Sequence, residues 1–461
     1  MKKQINKYVK IVFLLAIAST IFSCASMPEK TNAKKEFEHY TLDNGIPVIL
    51  NKTDSSKVVT LEIAVLGGVT VVEPEFSGIE ESLFNMMTMG SESYTYDYIK
   101  QEQYSKLSAL TANVYRNGSS VGLTTIDYYF DELLPMLVDG FLNPSFGEQE
   151  YQTVMTVIMQ GLQQSSQDPM TLLNETMSKI LYKDHPYETF PNATMESVQN
   201  ITIENMKNHL ANMHNAKRIA IIAVGDFDGE ELVEKLNPTL GQLTGDDFSM
   251  PTIPNIAPNG EPVVQGIPAS QGTGFITCAM PSPIIGSDEE MANTIVASMF
   301  TDVLFNVVRE NHGSVYSVAA QYANSNAPFN LILGYMISDP QNIVAQIDEA
   351  KQIMASGKLI SGRDATTGEF TYSTIDERLE GYKNKLLNAK FYEAQTNNGI
   401  ALNMVSSLFK YNDAAEYTDF TRKVRKVSAE DIQNVFNTYW MTDKLQWFAI
   451  TGTGEEELFT F

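Results

Sequence analysis

The pattern of hydrophobic and polar positions occurs twice along the chain. Residues 202–215 have the apolar spacing of a helix, and residues 217–226 then form an apolar run that ends in a turn. The same plan returns from Ser428, where a capping-type sequence predicts a helix start, and an apolar strand follows within residues 444–452. This repeat predicts two halves that are built alike.

The stretch between the two copies is dense in proline and glycine, which neither helices nor central strands accommodate well. We therefore predict a linker at 244–265 between an N-terminal domain at 38–243 and a C-terminal domain at 266–461. Each half mixes helices with paired strands, such as 41–50 and 61–66 near the start. The predicted fold class is α+β, with helices packed on a mainly antiparallel sheet in each of two tandem homologous domains.

The first 23 residues are typical of a secretion signal, because four lysines precede a short apolar run. The ending Ile21–Cys24 resembles the bacterial lipoprotein processing box, in which the cysteine is acylated. We expect Cys24 to be the lipid attachment site, with residues 24–37 as a tether and the protein anchored in the bacterial cell envelope, at the outer membrane. The alternative is an ordinary signal peptide with an incidental cysteine.

The charge of the chain excludes one class of partner. Its 461 residues include 32 Lys+Arg and 56 Asp+Glu, which gives a net charge of −24. Nucleic-acid binding is not expected, because neutralising phosphates requires clustered basic side chains. If Cys24 is acylated, Cys278 has no disulfide partner, and its apolar neighbours predict that it packs as a small hydrophobic residue.

A helix after residue 77 has the pattern of a core element. Ser77 and Glu80 have the spacing of a capping box, and an apolar face follows. His209 and His214 are five residues apart and have no carboxylate between them, so we expect helix histidines there, not a metal site.

Several short motifs resemble the insulinase/pitrilysin-type zinc metallopeptidases, in the half-length form related to mitochondrial processing peptidase. Their order and spacing carry the resemblance over nearly all of residues 38–455, and they are Gly67–Gly68, Ser77–Gly78, Gly90–Ser91, Asn143–Phe146, Asp184–Tyr187 and Gly225–Asp228. The resemblance implies a half-chamber of two domains.

Active members of that family carry H-x-x-E-H, in which two histidines hold zinc and the glutamate activates water. Counted from Gly90–Ser91, those positions are Glu81, Phe84 and Asn85, and the family's third ligand falls on Gly161. A catalytic zinc needs about three protein ligands. We therefore predict a degenerate zinc site, no bound metal, no cofactor and no peptidase activity of the chain by itself.

The second half keeps a different feature of the family. Arg309 and Tyr316 fit, in type and spacing, the arginine and tyrosine that approach the bound peptide and act there as hydrogen-bond donors. The alternative is structural, with Arg309 at a helix C-terminus and Tyr316 packed in the sheet.

The resemblance therefore predicts a noncatalytic subunit that supplies Arg309 and Tyr316 to the cleft of a zinc-bearing half-length homologue, in a heterodimer that binds unfolded peptides. Residues 110–115 resemble the family's edge strand, with Asn113 in the polar position. A second hypothesis is a lipid-anchored scaffold or peptide-binding pseudo-peptidase without a catalytic partner. A third is a hydrolase with an unrecognised site.

Overall fold

The computed structural model describes residues 37–461, and these residues lie in one compact unit. The predicted signal sequence, nearly all of the tether, and Cys24 lie outside the described residues. Two large sheets, each with helices against it, confirm the predicted α+β class. The predicted domain boundaries at 243 and 266 stay a prediction.

Residues of the first half form a six-stranded sheet in the order β1-β2-β6-β3-β5-β4. Only β2 and β6 run parallel, and the other neighbours are antiparallel. Its strands are β1 (Glu38–Thr41), β2 (Pro47–Lys52), β3 (Val58–Leu66), β4 (Ala109–Tyr115), β5 (Gly118–Ile126) and β6 (Ile219–Gly225).

Seven helices belong to the first half. They are α1 (Ile79–Met87), α2 (Tyr96–Lys106), α3 (Asp127–Leu142), α4 (Glu148–Ser165), α5 (Pro169–Leu181), α6 (Ile203–Met213) and α7 (Gly229–Leu236). Helices α1 and α3 cover one face of the sheet, where alternate residues of the strands, such as Leu61, Ile63 and Val121, are buried.

The second half forms a five-stranded sheet in the order β7-β13-β8-β10-β9, and a separate hairpin. The sheet contains β7 (Val263–Gly266), β8 (Gly274–Met280), β9 (Val315–Ala323), β10 (Phe329–Ile337) and β13 (Gln446–Thr451), and the hairpin contains β11 (Lys358–Arg363) and β12 (Phe370–Thr374). Its helices are α8 (Glu290–Leu304), α9 (Ile343–Ala355), α10 (Ile375–Glu393), α11 (Asn397–Tyr411), α12 (Phe420–Lys426) and α13 (Ala429–Val435).

The two sheets have equivalent topologies. Strand β6 is parallel to β2 and antiparallel to β3, and β13 is likewise parallel to β7 and antiparallel to β8. By this correspondence β9 is the counterpart of β4, and each of the two lies at an edge of its sheet. The repeat read from the sequence is therefore a repeat of the fold.

Each half lends a helix to the other sheet. Helix α11 of the second half buries Ala401, Met404 and Val405 against the first sheet. In return, α5 of the first half buries Leu173 and Met177 against the second sheet. Because burial of an apolar side chain contributes roughly 1.5–3 kcal/mol, these exchanged helices bind the halves together.

Helix α8 continues as a π-helical turn over Phe305–Asn311. The combined element, Glu290–Asn311, is long enough to cross a membrane, and its most apolar 18-residue window has a mean hydropathy of 1.4. Of its most apolar window, 67% is buried within the protein, as expected of a core helix.

The local predictions fared unevenly. Ser428 does form a capping box, with Asp431, at the start of α13. Cys278 lies on β8 and is fully buried, and burial raises the pKa of its thiol to about 12. The predicted strand at 41–50 was wrong, because a turn at 42–46 divides it into the hairpin β1–β2. Strand β3 does not pair with this hairpin's β2, since β6 lies between them.

Glu62 is a buried carboxylate in the middle of the first sheet. It lies on β3, on the face that α11 covers, and its side chain occupies the space that Gly122 of β5 leaves free. Neither carboxylate oxygen has a hydrogen-bond partner of good geometry among the described residues. Burial raises the pKa of Glu62 to about 7, and the nearby Ser120 hydroxyl offsets this shift only in part.

We expect Glu62 to make the protein less stable as the pH rises. Its pKa in the folded chain is about 7 and exceeds the ordinary value of 4.5, so the folded state favours the protonated form. The stability that this contributes is complete below pH 4.5 and is lost as the pH rises through 7. Replacement by the neutral Glu62→Gln should remove this dependence and stabilise the protein at pH 8 by up to about 3 kcal/mol.

Urea unfolding at pH values from 4.5 to 8.5 measures this effect. The control is Glu234→Gln, because Glu234 is exposed on α7. A Glu62→Gln protein with the same pH dependence as the unmodified chain would contradict the assignment.

Candidate functional site

Helix α1 begins one residue later than the sequence pattern predicts, and the predicted capping box is wrong. Its N-cap is Gly78, with φ of 83°, and no side chain caps the helix. The Ser77 hydroxyl instead donates to the carbonyl of Pro74 and accepts from the backbone N–H of Phe190. A side chain at Gly78 would collide with the backbone of Ala193, so this turn requires glycine.

Glu80 also has a role other than capping. It is buried, and its carboxylate accepts from the Ser119 hydroxyl at 2.5 Å and lies 3.0 Å from His209 Nε2 on α6. Burial alone would raise the pKa of Glu80, but His209, Ser119 and Arg218 outweigh burial and lower it. The ionised Glu80 therefore connects α1 to the sheet and to α6.

The four positions where the resemblance places a zinc site hold no set of metal donors. Glu81 accepts hydrogen bonds from Asn192 Nδ2 at 2.9 Å and from the N–H of Ala193 at 3.0 Å. Phe84 has 0% exposure and lies in the core beneath the sheet. Asn85 is exposed and donates to the Glu81 carbonyl, and a side chain at Gly161 would meet open space.

The structure brings Glu81 and Gly161 to the same cleft, which has a volume of about 520 Å³. Glu175, Glu196 and Lys179 also line it, and Lys179 is paired with Glu196 at 3.2 Å. Helices α1 and α4 thus lie side by side as the predicted site requires.

These residues do not fit a zinc ion. One oxygen of Glu81 accepts from the side-chain amide of Asn192 and the other from the backbone N–H of Ala193, and the other three positions offer a phenyl ring, an amide and no side chain. In residues 37–461 no group of three or more His, Cys, Asp or Glu side chains could hold a metal. Phe84 cannot accept a proton, so this site has no general base at the family's position.

Arg309 and Tyr316 lie together at the surface. Arg309 is on the π-helical turn after α8, and Tyr316 is the second residue of edge strand β9. The guanidinium carbon is 5.4 Å from the centre of the Tyr316 ring and 4.7 Å from that of Phe305. Tyr316 is 67% exposed on strand β9, and Arg309 lies in the last turn of its π-helical segment, so the structural alternative stays open. Whether the pair meets a peptide stays a prediction.

The edge-strand prediction agrees with the topology. Residues 110–115 lie in β4, which is at the edge of the first sheet and packs against α1. The side chains of Thr111 and Asn113 lie on the sheet face that α1 does not cover, because Leu110 and Ala112 pack in the core beside α1.

A family model described as the Peptidase M16 inactive domain matches residues 200–358. The chain is 23% identical over 206 residues to a probable mitochondrial-processing peptidase subunit beta from Arabidopsis thaliana, which covers 45% of this chain. It is 20% identical over 287 residues, or 61% of this chain, to the non-peptidase homolog YmxG from Helicobacter pylori. The matched regions are 39% of the plant protein and 65% of the Helicobacter protein, less than two thirds of either.

Solved structures share the whole architecture. A protease from Helicobacter pylori superposes with a TM-score of 0.76 at 14% identity, over 90% of this chain and 99% of that one. A peptidase M16 inactive domain from Pseudomonas fluorescens gives 0.74 at 16% identity, over 91% and 98%. The chain therefore has the fold of the M16 family peptidases, and residues 200–358 match the model of that family's inactive domain. This confirms the resemblance predicted from the sequence.

The segment that the family model matches starts after α4, so the absence of zinc donors at α1 and α4 is evident from the residues of these helices and not from the match. Sequence reasoning missed the pairing of Glu80 with His209, although both residues were considered separately. Nothing in the spacing links positions 80 and 209, because only the fold of α6 onto α1 brings them together.

We expect Phe84→Ala to destabilise the protein by about 3–5 kcal/mol, the usual cost of removing a fully buried phenyl ring. The matched control is Asn85→Ala on the same turn of α1, which should change the free energy of unfolding by less than about 0.5 kcal/mol because Asn85 is exposed. Denaturant unfolding measures both. Equal effects of the two substitutions would contradict a core role for Phe84.

Proposed function

We propose that this protein is the noncatalytic subunit of a heteromeric zinc peptidase. The observation that carries the proposal is the combination of a complete fold with a replaced site: α1 keeps its place, but Phe84 is a core residue and Glu81 is engaged by Asn192 and Ala193. Such a chain can shape a cleft, but another chain has to supply the metal. We propose a zinc-bearing half-length M16 homologue as that partner.

Arg309 and Tyr316 are the groups that we propose the subunit contributes. The Arg309 side chain is 39% exposed, and its Nε lies 3.7 Å from Oε1 of Glu310. Stacking on two aromatic rings holds the guanidinium in position without using its N–H donors. These donors and the Tyr316 hydroxyl remain available to a peptide carbonyl, whose oxygen gains negative charge as water attacks.

An unfolded peptide is the proposed substrate of the assembly. Strands β4 and β9 each lie at a sheet edge, where unpaired backbone groups can accept an added strand. Tyr316 is on β9 itself, so a peptide near that edge would lie within reach of its hydroxyl.

A lipid-anchored scaffold that binds peptides or envelope proteins without a catalytic partner is the second candidate. Its support is the processing-box resemblance at Cys24, together with a relative from Helicobacter pylori that is named a non-peptidase homolog. In either case we propose that acylated Cys24 anchors the protein in the bacterial cell envelope.

With a zinc-bearing partner, Arg309→Ala and Tyr316→Phe should each lower peptide turnover about 10²–10³-fold, the usual effect of removing a donor to a developing oxyanion. Peptide cleavage by the reconstituted pair measures this. The matched control is Tyr372→Phe, because Tyr372 is another exposed strand tyrosine that lies beside a cation, Lys358 Nζ, at 5.3 Å.

Unchanged turnover in both variants, with the pair still assembled, would show that Arg309 and Tyr316 are structural. Cleavage by the isolated chain in excess chelator would instead support the hydrolase hypothesis. Binding of peptides by the isolated chain, with no partner recovered from native membranes, would favour the scaffold.

Cys24→Ala should release the protein from membranes, because each buried methylene of an acyl chain contributes about 0.8 kcal/mol to anchoring. Fractionation of cells that express the full chain, with metabolic labelling by a fatty acid, measures this. Cys278→Ala is the control, since Cys278 is buried and inaccessible to acylation. Retention of the unlabelled Cys24→Ala protein in the membrane would contradict lipid anchoring.

A further inference from the structure

One cleft of the described residues lies where the two halves meet. Its volume is about 940 Å³, which is enough for several residues of a peptide. One wall comes from the first half with Leu66, Asn117 and Lys217, and another from the end of α11. The segment 248–255, which has no regular secondary structure, and the turn 284–286 complete it.

The charged residues that line this cleft differ from those that line the clefts beside α1 and α7. The cleft beside α1 contains Glu81, Glu175 and Glu196, and one beside α7 contains five carboxylates. The junction cleft has no carboxylate in its lining and has two lysines, Lys217 and Lys410. Although the chain has a net charge of −24, the residues that line this cleft would not repel an anion.

The two lysines contribute unequally. Lys410 is paired with the buried Glu290 at 2.9 Å and also contacts Asn324, so its charge is largely compensated. Lys217 is exposed, and its ammonium group has no carboxylate within ion-pair distance among residues 37–461. The cleft therefore offers about one uncompensated positive charge, which suits a monoanion such as a carboxylate.

The rest of the lining suits a peptide. Apolar side chains form part of it, namely Phe248, Met250, Ile253, Ile284 and Ile285, and Ile284 is 52% exposed. The side chains of Ser249, Asn255 and Asn412 also line it and are exposed to solvent. Their amides and hydroxyls can form hydrogen bonds with the backbone N–H and C=O groups of a bound peptide. An acyl chain has no such groups.

We propose that the junction cleft binds the C-terminal end of an apolar unfolded peptide, with Lys217 pairing with the terminal carboxylate. This inference rests on the proposed peptide binding and goes further, because it assigns one end of the peptide to a site away from α1. The apolar residues of the segment 248–255 and of the turn 284–286 contact the side chains near that end.

Fluorescence anisotropy of the full chain with two fluorescein-labelled hexapeptides tests the proposal. Both have the sequence Gly-Ser-Ala-Leu-Val-Phe, and one ends in a free carboxylate while the other ends in an amide. The free acid should bind about tenfold more tightly, and raising the salt concentration should reduce this preference. Lys217→Gln should abolish the preference and leave the affinity for the amide unchanged.

Two further variants keep the test decisive. Lys444→Gln is the matched control, because Lys444 is an exposed lysine that does not line the cleft, and it should retain the preference. Ser249→Trp should weaken binding of both peptides at least tenfold by filling the cleft. Because Ser249 is exposed outside helices and strands, the variant should melt at the unmodified temperature.

If the acid and amide peptides bind with equal affinity, and neither Lys217→Gln nor Ser249→Trp changes that affinity, the cleft assignment is overturned. Such a result would mean that the peptides bind elsewhere on the chain. Displacement of a bound fluorescent fatty acid by decanoate, without binding of either peptide, would also overturn it and indicate a lipid site. Loss of turnover with a zinc-bearing partner tests the proposed function separately, because Lys217 is not among the groups proposed to meet the scissile bond.

Discussion

The buried contact between Glu80 and His209 fixes helix α1, and the arrangement around the positions of the family's zinc site depends on that helix. Glu80 is bonded at once to His209 of α6 and to Ser119 of β5, and Arg218 adds a favourable charge. Removing one hydrogen-bond partner of a buried carboxylate commonly costs about 1–3 kcal/mol, because the carboxylate stays desolvated without that bond. Helix α1 is thus held rigidly by polar bonds at its start and by apolar packing along its length.

This arrangement separates the stability of the fold from the chemistry of the family. In the positions that the resemblance assigns to the metal, Phe84 adds apolar burial and Glu81 fastens the turn at Asn192 and Ala193. Both are interactions that stabilise a folded chain without any ion. A buried cluster of unoccupied metal ligands would carry a desolvation cost, and these residues avoid it.

The sequence predicted the regular elements well where local patterns determine them. The strand around Cys278, the capping box at Ser428 and the edge strand at 110–115 all follow from period, turn chemistry or motif order. The capping box at Ser77 failed because Ser77 bonds to the 190 segment, a contact between residues more than a hundred positions apart. The burial of Glu62 was missed for a similar reason, since nothing near it in sequence indicates that α11 covers that face.

The duplicated topology gives each half its own helix and its own edge strand. The element that follows β3 is α1, and its counterpart after β8 is α8 with the π-helical turn that carries Arg309. Each helix precedes an edge strand, β4 in one half and β9 in the other. The two edges are built on separate cores, so substitutions in α1 leave the packing of α8 and β9 unchanged. The geometry of Arg309 and Tyr316 is consequently independent of any metal at α1. The proposed noncatalytic subunit has to meet this condition, because it would supply these two side chains while its partner supplies the zinc.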